Sequence, residues 1–300
     1  MPDSELRVAV SIATRNRCEV LRETLAELMK LNPPPDEIVV HADACTDGTA
    51  EMIAERFPKV RLIESQQARG SVGGRDRILR ETRADIVLSL DDDSYPMETD
   101  FVAKLRVLHA ADSRAAVLSF PQVTDEYPET QQVNAIDRAA PRRAEGSYGG
   151  GACSYLRAAY LKLPGFVPEF FHTYEEPDYA LQCVANGWRV VWQASLTIQH
   201  RYTTQNRNGH RTHSLHCRNE IWSVLLRCPL LLLPFMIVHR VLSQMVNAVR
   251  LGGFRWLMRE PLWWWDAVTN SGFIWKRREP VSLRGYMHWL AICRKPEPLL

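Results

Sequence analysis

The chain has 300 residues, 46% apolar and 24% charged, which suits one large globular domain or a domain with an appendage. Its seven cysteines (18, 45, 153, 183, 217, 228 and 293) are scattered and include no Cys-x-x-Cys pair. They point to neither a zinc ribbon nor a disulfide framework and fit a reducing compartment. The net charge of +2 hides an asymmetry: from Arg218 onward twelve Lys/Arg face five Asp/Glu, a net of +7, leaving −5 for residues 1–217.

Arg7 to Ile12 predicts a first strand, followed by the polar loop Ala13-Thr14-Arg15-Asn16-Arg17. Leu21, Leu25 and Leu28 have helical spacing, and Pro33-Pro34-Pro35 ends that helix. Glu37 to His41 predicts a second strand, and Thr49 is the expected N-cap of a short helix that stops before Pro58. Val60 to Ile63 is a third strand. The loop Arg69 to Arg75 and a helix to about Arg83 lead to a fourth, Ile86 to Leu90. Four strands alternating with three helices imply βαβ units and a largely parallel sheet. Right-handed crossovers then place the strand-end loops along one rim.

The middle of the chain is less regular. Residues 115–120 predict a strand, and Asp125 to Arg143 reads as a polar surface excursion. Gly149-Gly150-Gly151 permits close approach of backbone to a ligand, or simply an awkward turn. Tyr174-Glu175-Glu176-Pro177-Asp178 opens a helix that runs to Asn186-Gly187. Trp188 to Trp192 and Leu196 to His200 are further strands.

The fourth strand ends in Asp91-Asp92-Asp93. Carboxylates brought to one point repel and raise each other's pKa unless a cation or strong donors compensate. Hard divalent cations in phosphate sites are typically held by one or two carboxylates. The rim outside the carboxyl ends of the strands is where open α/β sheets bind ligands. A solvated acidic turn is the plain alternative.

Taken in order, these segments resemble the family 2 glycosyltransferases of the GT-A fold over roughly residues 7–220. Thr14-Arg15-Asn16-Arg17 looks like the family's first loop, and Asp43 through Thr49 is similar to its Asp-Gly-Ser-Thr-Asp-Gly-Thr segment. Gly70 through Asp76 sits where members carry Gly-x-x-x-Ala-Arg-Asn. Asp91-Asp92-Asp93 looks like the Asp-x-Asp motif, Glu175-Glu176-Pro177-Asp178 like Glu-Asp-x-Asp, and His200 like a late histidine. The chain departs from that pattern at Ala42, Asp76 and Glu176.

The resemblance implies an α/β fold: a mostly parallel, Rossmann-like sheet flanked by helices, with a C-terminal helical appendage. The catalytic domain would span residues 1–217, with a donor half to about 120 and an acceptor half from 121, and a basic, Trp-rich tail would span 218–300. It also implies a metal-dependent, inverting transfer of a sugar from a nucleoside-diphosphate donor, UDP or dTDP favoured, to a glycan or lipid-linked hydroxyl. Cell-surface polysaccharide synthesis is the expected setting, and Mn2+ or Mg2+ the expected cofactor.

By the same resemblance Asp93, Asp91 and His200 are the metal set; for His200 a plain strand-end contact stays open. Thr14, Asn16, Arg17, Asp43, Arg75, Asp91 and Asp92 would bind the donor. Asp43 would accept the N3–H of uracil or thymine, while the sequence of Asp92 alone reads as inward support. Glu176 would be the general base, with Glu175 on acceptor hydroxyls. Gly150, Gly151 and Asp178 fall on the acceptor side, although Asp178 also suits a helix cap.

Seven of the nine tryptophans follow residue 220. With the apolar run 229–238 and Trp275-Lys276-Arg277-Arg278, they suggest contact with an anionic membrane surface. Helices packed on the catalytic domain or on a second copy of the chain are the alternative. The short polar start suggests a cytoplasmic protein, at the inner face of the plasma membrane if the tail docks there. A sugar-phosphate nucleotidyltransferase should show a glycine-rich loop after the first strand, and residues 13–17 contain no glycine. A non-catalytic nucleotide- or sugar-binding module is the other rival. No nucleic-acid motif occurs, so no nucleic-acid partner is expected.

Overall fold

The computed structural model describes residues 5–124, 141–201 and 209–299. Val8–Thr14 (β1) is almost wholly buried, as a strand covered on both faces must be. The helix Cys18–Leu28 (α1) buries Leu21, Leu25 and Leu28, the three positions whose spacing predicted it. Glu37–Asp43 (β2), Thr49–Arg56 (α2), Arg61–Ser65 (β3), Gly70–Glu81 (α3) and Ile86–Asp91 (β4) follow. β1 pairs in parallel with β2 and β4, and β2 with β3, so four strands stand in the order 3-2-1-4. Gly48, with φ 81°, takes the capping position before α2; Thr49, expected there, is the first helical residue.

The second half was less legible. Ser94–Pro96 (β5), Phe101–Ala111 (α4), Ala115–Ser119 (β6) and Gln122–Val123 (β7) lead to Arg142–Ala144 (β8) and Ala152–Leu156 (β9). The surface excursion expected from 125 to 143 lies, up to residue 140, outside the described residues. β9 was not expected: Ala-Cys-Ser-Tyr-Leu is short and carries no alternation of polar and apolar residues. It is inserted antiparallel between β4 and β6, two strands from distant parts of the chain. Glu175–Ala185 (α5), Arg189–Gln193 (β10) and Ile198–His200 (β11) complete this half. β5, β11 and β7 form a small second sheet, in which His200 lies opposite Ser94.

Gly209–Arg227 (α6), Leu233–Leu257 (α7), Glu260–Thr269 (α8) and Leu283–Arg294 (α9) form the C-terminal helices. The division drawn at 217/218 falls within α6. Glu297–Pro298 (β12) returns to pair with β8, so the nine-stranded sheet runs β12-β8-β10-β6-β9-β4-β1-β2-β3. Trp222 and Trp289, both buried, donate their indole N–H to the backbone oxygens of Ala267 and Gly146.

Other tail residues face water. Leu231, Phe235, Val238, Leu242, Val246 and Val249 recur at helical spacing and are 47–74% exposed, an apolar stripe along and just before α7. Phe254, Met258, Leu262, Trp265 and Trp275 continue the exposed apolar surface. Among the described residues no helix is long and apolar enough to cross a membrane.

One buried ion pair couples α5 to α6. Asp178 is 1% exposed and accepts hydrogen bonds from Ser223 Oγ (2.7 Å), Gln182 Nε2 (2.7 Å) and Arg227 Nε and Nη2 (3.3 Å each). Both members of the charged pair are out of water, so losing one strands the other. Arg227→Met should therefore lower unfolding free energy by about 3–5 kcal/mol. Urea denaturation checks it; a change under about 1 kcal/mol would mean that Ser223 and Gln182 suffice for Asp178.

Candidate active site

The site is built where β4 ends. Asp91 sits on the rim, while Asp92 and Asp93 turn into the protein and are 4% and 0% exposed. Three adjacent carboxylates are tolerable because each meets its own donors. The Arg75 guanidinium, buried against the carboxylates, donates through Nη2 to Asp91 Oδ1 (2.5 Å). Arg17 reaches both inward members: Nη1 to Asp92 Oδ1 (2.5 Å) and Nη2 to Asp93 Oδ2 (2.8 Å). Thr14 Oγ1 donates to Asp92 Oδ2 at 2.8 Å, and Thr24 Oγ1 to the Asp92 carbonyl oxygen at 2.7 Å.

These surroundings separate the acids. Burial pushes Asp92 up to about 6 against the opposing pull of Arg17 and Thr14. Burial would raise Asp93 too, but hydrogen bonds from His200 and Arg17 hold it at about 2. Thr14, Arg17 and Asp92, all expected at the nucleoside, thus form an internal cluster that braces Asp93. The inward reading of Asp92 is the one its side chain follows.

His200 arrives from a distant segment because β11 pairs with β5, the strand directly after the acids. Its Nε2 lies 3.0 Å from Asp93 Oδ1, and its Nδ1 lies 2.9 Å from Gln122 Oε1. Gln122 thereby orients the ring with Nε2 turned to Asp93, the side on which a cation would be held. Ligand atoms of Asp91, Asp93 and His200 all lie within 4.8 Å of one another. Two carboxylates and one oriented imidazole form a donor set that fits Mg2+ or Mn2+.

Other residues in the first loops hold backbone. Asn16 adopts φ 52° and accepts the Thr46 N–H at 2.8 Å, tying the loop after β1 to the loop after β2. Asp47 accepts the Cys18 N–H at 2.8 Å, at the first turn of α1. Asp43, expected on the base, is 4% exposed and anchors the start of α3. Its carboxylate receives the N–H groups of Arg69 (2.6 Å) and Gly70 (3.0 Å) and the Ser65 hydroxyl (3.1 Å). Asp76, one of the departures from the family pattern, accepts from Tyr160 Oη (2.6 Å) and Arg80 Nε (2.9 Å).

The two Glu residues open α5. Arg75 Nη1 donates to Glu175 Oε1 at 3.0 Å, so one guanidinium joins the rim of β4 to the start of α5. Glu175 is 2% exposed, and its Oε2 has no partner among the described residues. Glu176 accepts the Gly150 N–H at 3.2 Å. Burial first, then the neighbouring Glu175, push its carboxyl up to about 8, with Arg75 opposing. A Cβ at Gly150 would lie 2.6 Å from Glu176 Oε1, and one at Gly151 would lie 2.1 Å from Asp91 Oδ2. Only glycine lets this segment pass between the two acids. Asp178, placed with the acceptor from the sequence, instead belongs to the buried pair with Arg227, on the opposite side of the helix turn from Glu176.

The segment before α5 is unusual. Phe171, Thr173 and Tyr174 have φ of 65°, 66° and 71°, a left-handed region that costs non-glycine residues on the order of 1–3 kcal/mol each. A cavity of about 410 Å3 is lined by Arg75, Asp91, Gly150, Gly151, Glu175 and Glu176, with Gln122, Tyr148, His172, Thr173 and His216 among its other walls. The Thr173 hydroxyl, like Glu175 Oε2, is buried there without a partner among the described residues. Such atoms are costly to leave unmet, and hydroxyls of a ligand would satisfy them. The sequence offered no sign of Gln122, Thr173 or His172, which lie in irregular segments without a motif.

Comparison with known proteins agrees with this geometry. The model of glycosyl transferase family 2 matches residues 9–162, just over half of the chain, and ends before α5. No curated protein sequence matches. Among solved structures, the chain is similar to the mannosyltransferase PcManGT from Pyrobaculum calidifontis in complex with GDP-Man and Mn2+. The identity is 17% and the TM-score 0.59, over 98% of this chain and 88% of that one. Residues 1–349 of S. aureus TarS give 15% and 0.62 over 90% and 81%. GalNAc-T7 with UDP, GalNAc and Mn2+ gives 13% and 0.62 over 75% of this chain and 48% of its own. At these identities the likeness is one of fold, and the family rests on the sequence match. With the strand order, the acidic rim and that match together, the chain belongs to glycosyl transferase family 2 and is a glycosyltransferase of the GT-A fold.

Proposed function

We propose that the protein transfers a sugar, with inversion, from a nucleoside-diphosphate donor to a hydroxyl of a glycan or lipid-linked acceptor. Cell-surface polysaccharide synthesis at the cytoplasmic membrane face is the proposed setting. One observation carries this reading: Asp91 from β4 and Glu175 and Glu176 from α5 wall a single cavity, with Arg75 bridging Asp91 to Glu175. Asp91, Asp93 and His200 would hold the divalent cation. When bound, such an ion supplies positive charge to the departing diphosphate.

The chain's own residues do the rest. Arg75 supplies a fixed charge beside the donor side of the cavity and holds the Glu175 carboxylate in place through a charge-assisted hydrogen bond. The unmet Glu175 Oε2 and Thr173 hydroxyl bind sugar hydroxyls. Glu176, held by the Gly150 N–H, takes the proton from the acceptor hydroxyl as its oxygen attacks the anomeric carbon. The arrangement parallels an inverting glycosidase, with a sugar hydroxyl in place of water. Asp43 spends three of its roughly four lone pairs, two on the start of α3 and one on the Ser65 hydroxyl at the end of β3, and keeps one for a base N3–H, which favours UDP or dTDP sugars.

The exposed apolar stripe of α7 supports membrane docking. Exposed Arg250 lies beside Leu242 and Val246 of the stripe, and exposed Arg255 and Arg259 follow in sequence; anionic lipid attracts each basic residue near its surface by about 1 kcal/mol. A lipid-linked acceptor would then be delivered to the face where the enzyme rests.

Asp93→Asn should abolish turnover that depends on added Mn2+ or Mg2+ while the protein stays folded; full activity with saturating donor would remove the metal assignment. In a thermal-shift screen of nucleotide sugars with Mn2+, uridine or thymidine donors should stabilise the protein, and stabilisation by a guanosine donor alone would contradict the role of Asp43.

Glu176→Gln should lower turnover about 10²–10⁴-fold with donor affinity nearly unchanged. A base must be ionised to work, so kcat/KM should rise with pH until about 8 and then level off. Loss of donor binding in equal measure would make Glu176 a binding residue.

Liposome flotation tests the tail. The protein should float with anionic vesicles at low salt and detach at high salt. Phe235→Asp, at a site 74% exposed, should abolish flotation without unfolding. Absence of flotation with anionic vesicles would leave the stripe to a second copy of the chain.

A further inference from the structure

The strained turn that presents the catalytic pair is gripped by one side chain of the C-terminal helices. Asn219, on α6, is fully buried, and its Nδ2 lies 3.0 Å from the Phe170 carbonyl oxygen, 2.9 Å from that of His172 and 2.9 Å from that of Thr173. Three carbonyls can only accept, so the amide orientation is fixed; the Arg218 Nε–H at 3.1 Å satisfies Asn219 Oδ1 from the other side. These oxygens belong to the run that holds Phe171, Thr173 and Tyr174 in the left-handed region.

We infer that Asn219 is a positioning residue for catalysis: its amide locks residues 170–174 in the conformation that aims Glu175 and Glu176 into the cavity. The inference rests on the proposed roles of those two acids.

The neighbours of Asn219 act on the same turn. Arg218 Nη2 donates to the Phe170 oxygen at 3.1 Å, and Tyr174 Oη donates to Glu220 Oε1 at 3.1 Å. From the opposite side, the Val72 N–H approaches the Phe171 oxygen at 3.3 Å, and Ser71 Oγ lies 3.0 Å from His172 Nδ1. The turn is therefore held between α3, which carries Arg75, and α6. Left-handed residues persist only where surroundings over-determine them. A conserved-shape substitution at position 219 removes the largest single share of that restraint, because among the described residues no other side chain meets three of the turn's carbonyls.

The consequence is specific. Releasing the turn moves the start of α5, and hence Glu176, while Asp93 and His200 keep their own partners Arg17 and Gln122. The loss should fall on kcat and not on donor affinity.

The test compares Asn219→Ala and Asn219→Asp with Val224→Ala, a cavity-forming change one turn further along α6 at a residue that packs beside Leu181 and Val184. The Asn219 variants should lose 10-fold or more in kcat with donor KM within about 3-fold of the wild type, and Val224→Ala should keep wild-type kcat at similar loss of stability. Hydrogen exchange should show faster exchange of amides 170–176 in the Asn219 variants only. Should Asn219→Ala fail to fold, Asn219→Ser, which keeps one O–H donor, is read the same way. Unchanged kcat in folded Asn219 variants, or an equal loss in Val224→Ala, overturns the inference. A wild type without transfer activity overturns the proposed function instead, and the exchange measurement still shows whether Asn219 holds the turn.

Discussion

The structure depends on how three adjacent carboxylates are kept apart at the end of one strand. Left together in the open they would repel and protonate. Asp91 is given to Arg75, Asp92 to Arg17 and Thr14, and Asp93 to Arg17 and His200. The outcome is unequal by design of the surroundings: Asp92 is pushed up to about 6 by burial, whereas Asp93 is held at about 2 in spite of it. Asp92 becomes internal support, Asp93 stays charged beside it, and Asp91 stands on the rim, next to the place where a cation would be held.

The partners of these acids come from separate parts of the chain, and that is what ties the fold together. Arg17 follows β1, Arg75 lies in α3 and His200 ends β11. Arg75 does more than neutralise Asp91, because its other edge holds Glu175 at the start of α5. Donor side and acceptor side thus share one guanidinium. A lysine there could not make both bonds, since the fork of donors is what spans the two carboxylates.

The C-terminal helices combine two characters. Toward the sheet, α6 carries Asp178's partners Ser223 and Arg227, and β12 closes the edge of the main sheet. Toward solvent, α7 shows an apolar stripe with Arg250 beside it. The helices are therefore bound to the catalytic body on one side and left with an unpartnered face on the other.

Local pattern alone determined the first half: leucine spacing marked α1, breakers marked its end, and alternating strands and helices implied parallel pairing in residues 7–91. The ordered motifs named the rim acids, Arg75, His200 and the Glu pair as the residues to watch. Local pattern was silent on β9 and the small second sheet, because short strands whose backbone partners lie far along the chain leave no periodic trace. It also misplaced side chains whose destination is set by packing. Thr14 and Arg17 turn inward to Asp92, and Asp178 faces Arg227. An Asp reads the same in sequence whether it meets an arginine or a sugar. Which of the two it meets was decided only when α6 and the sheet closed around it and water was excluded.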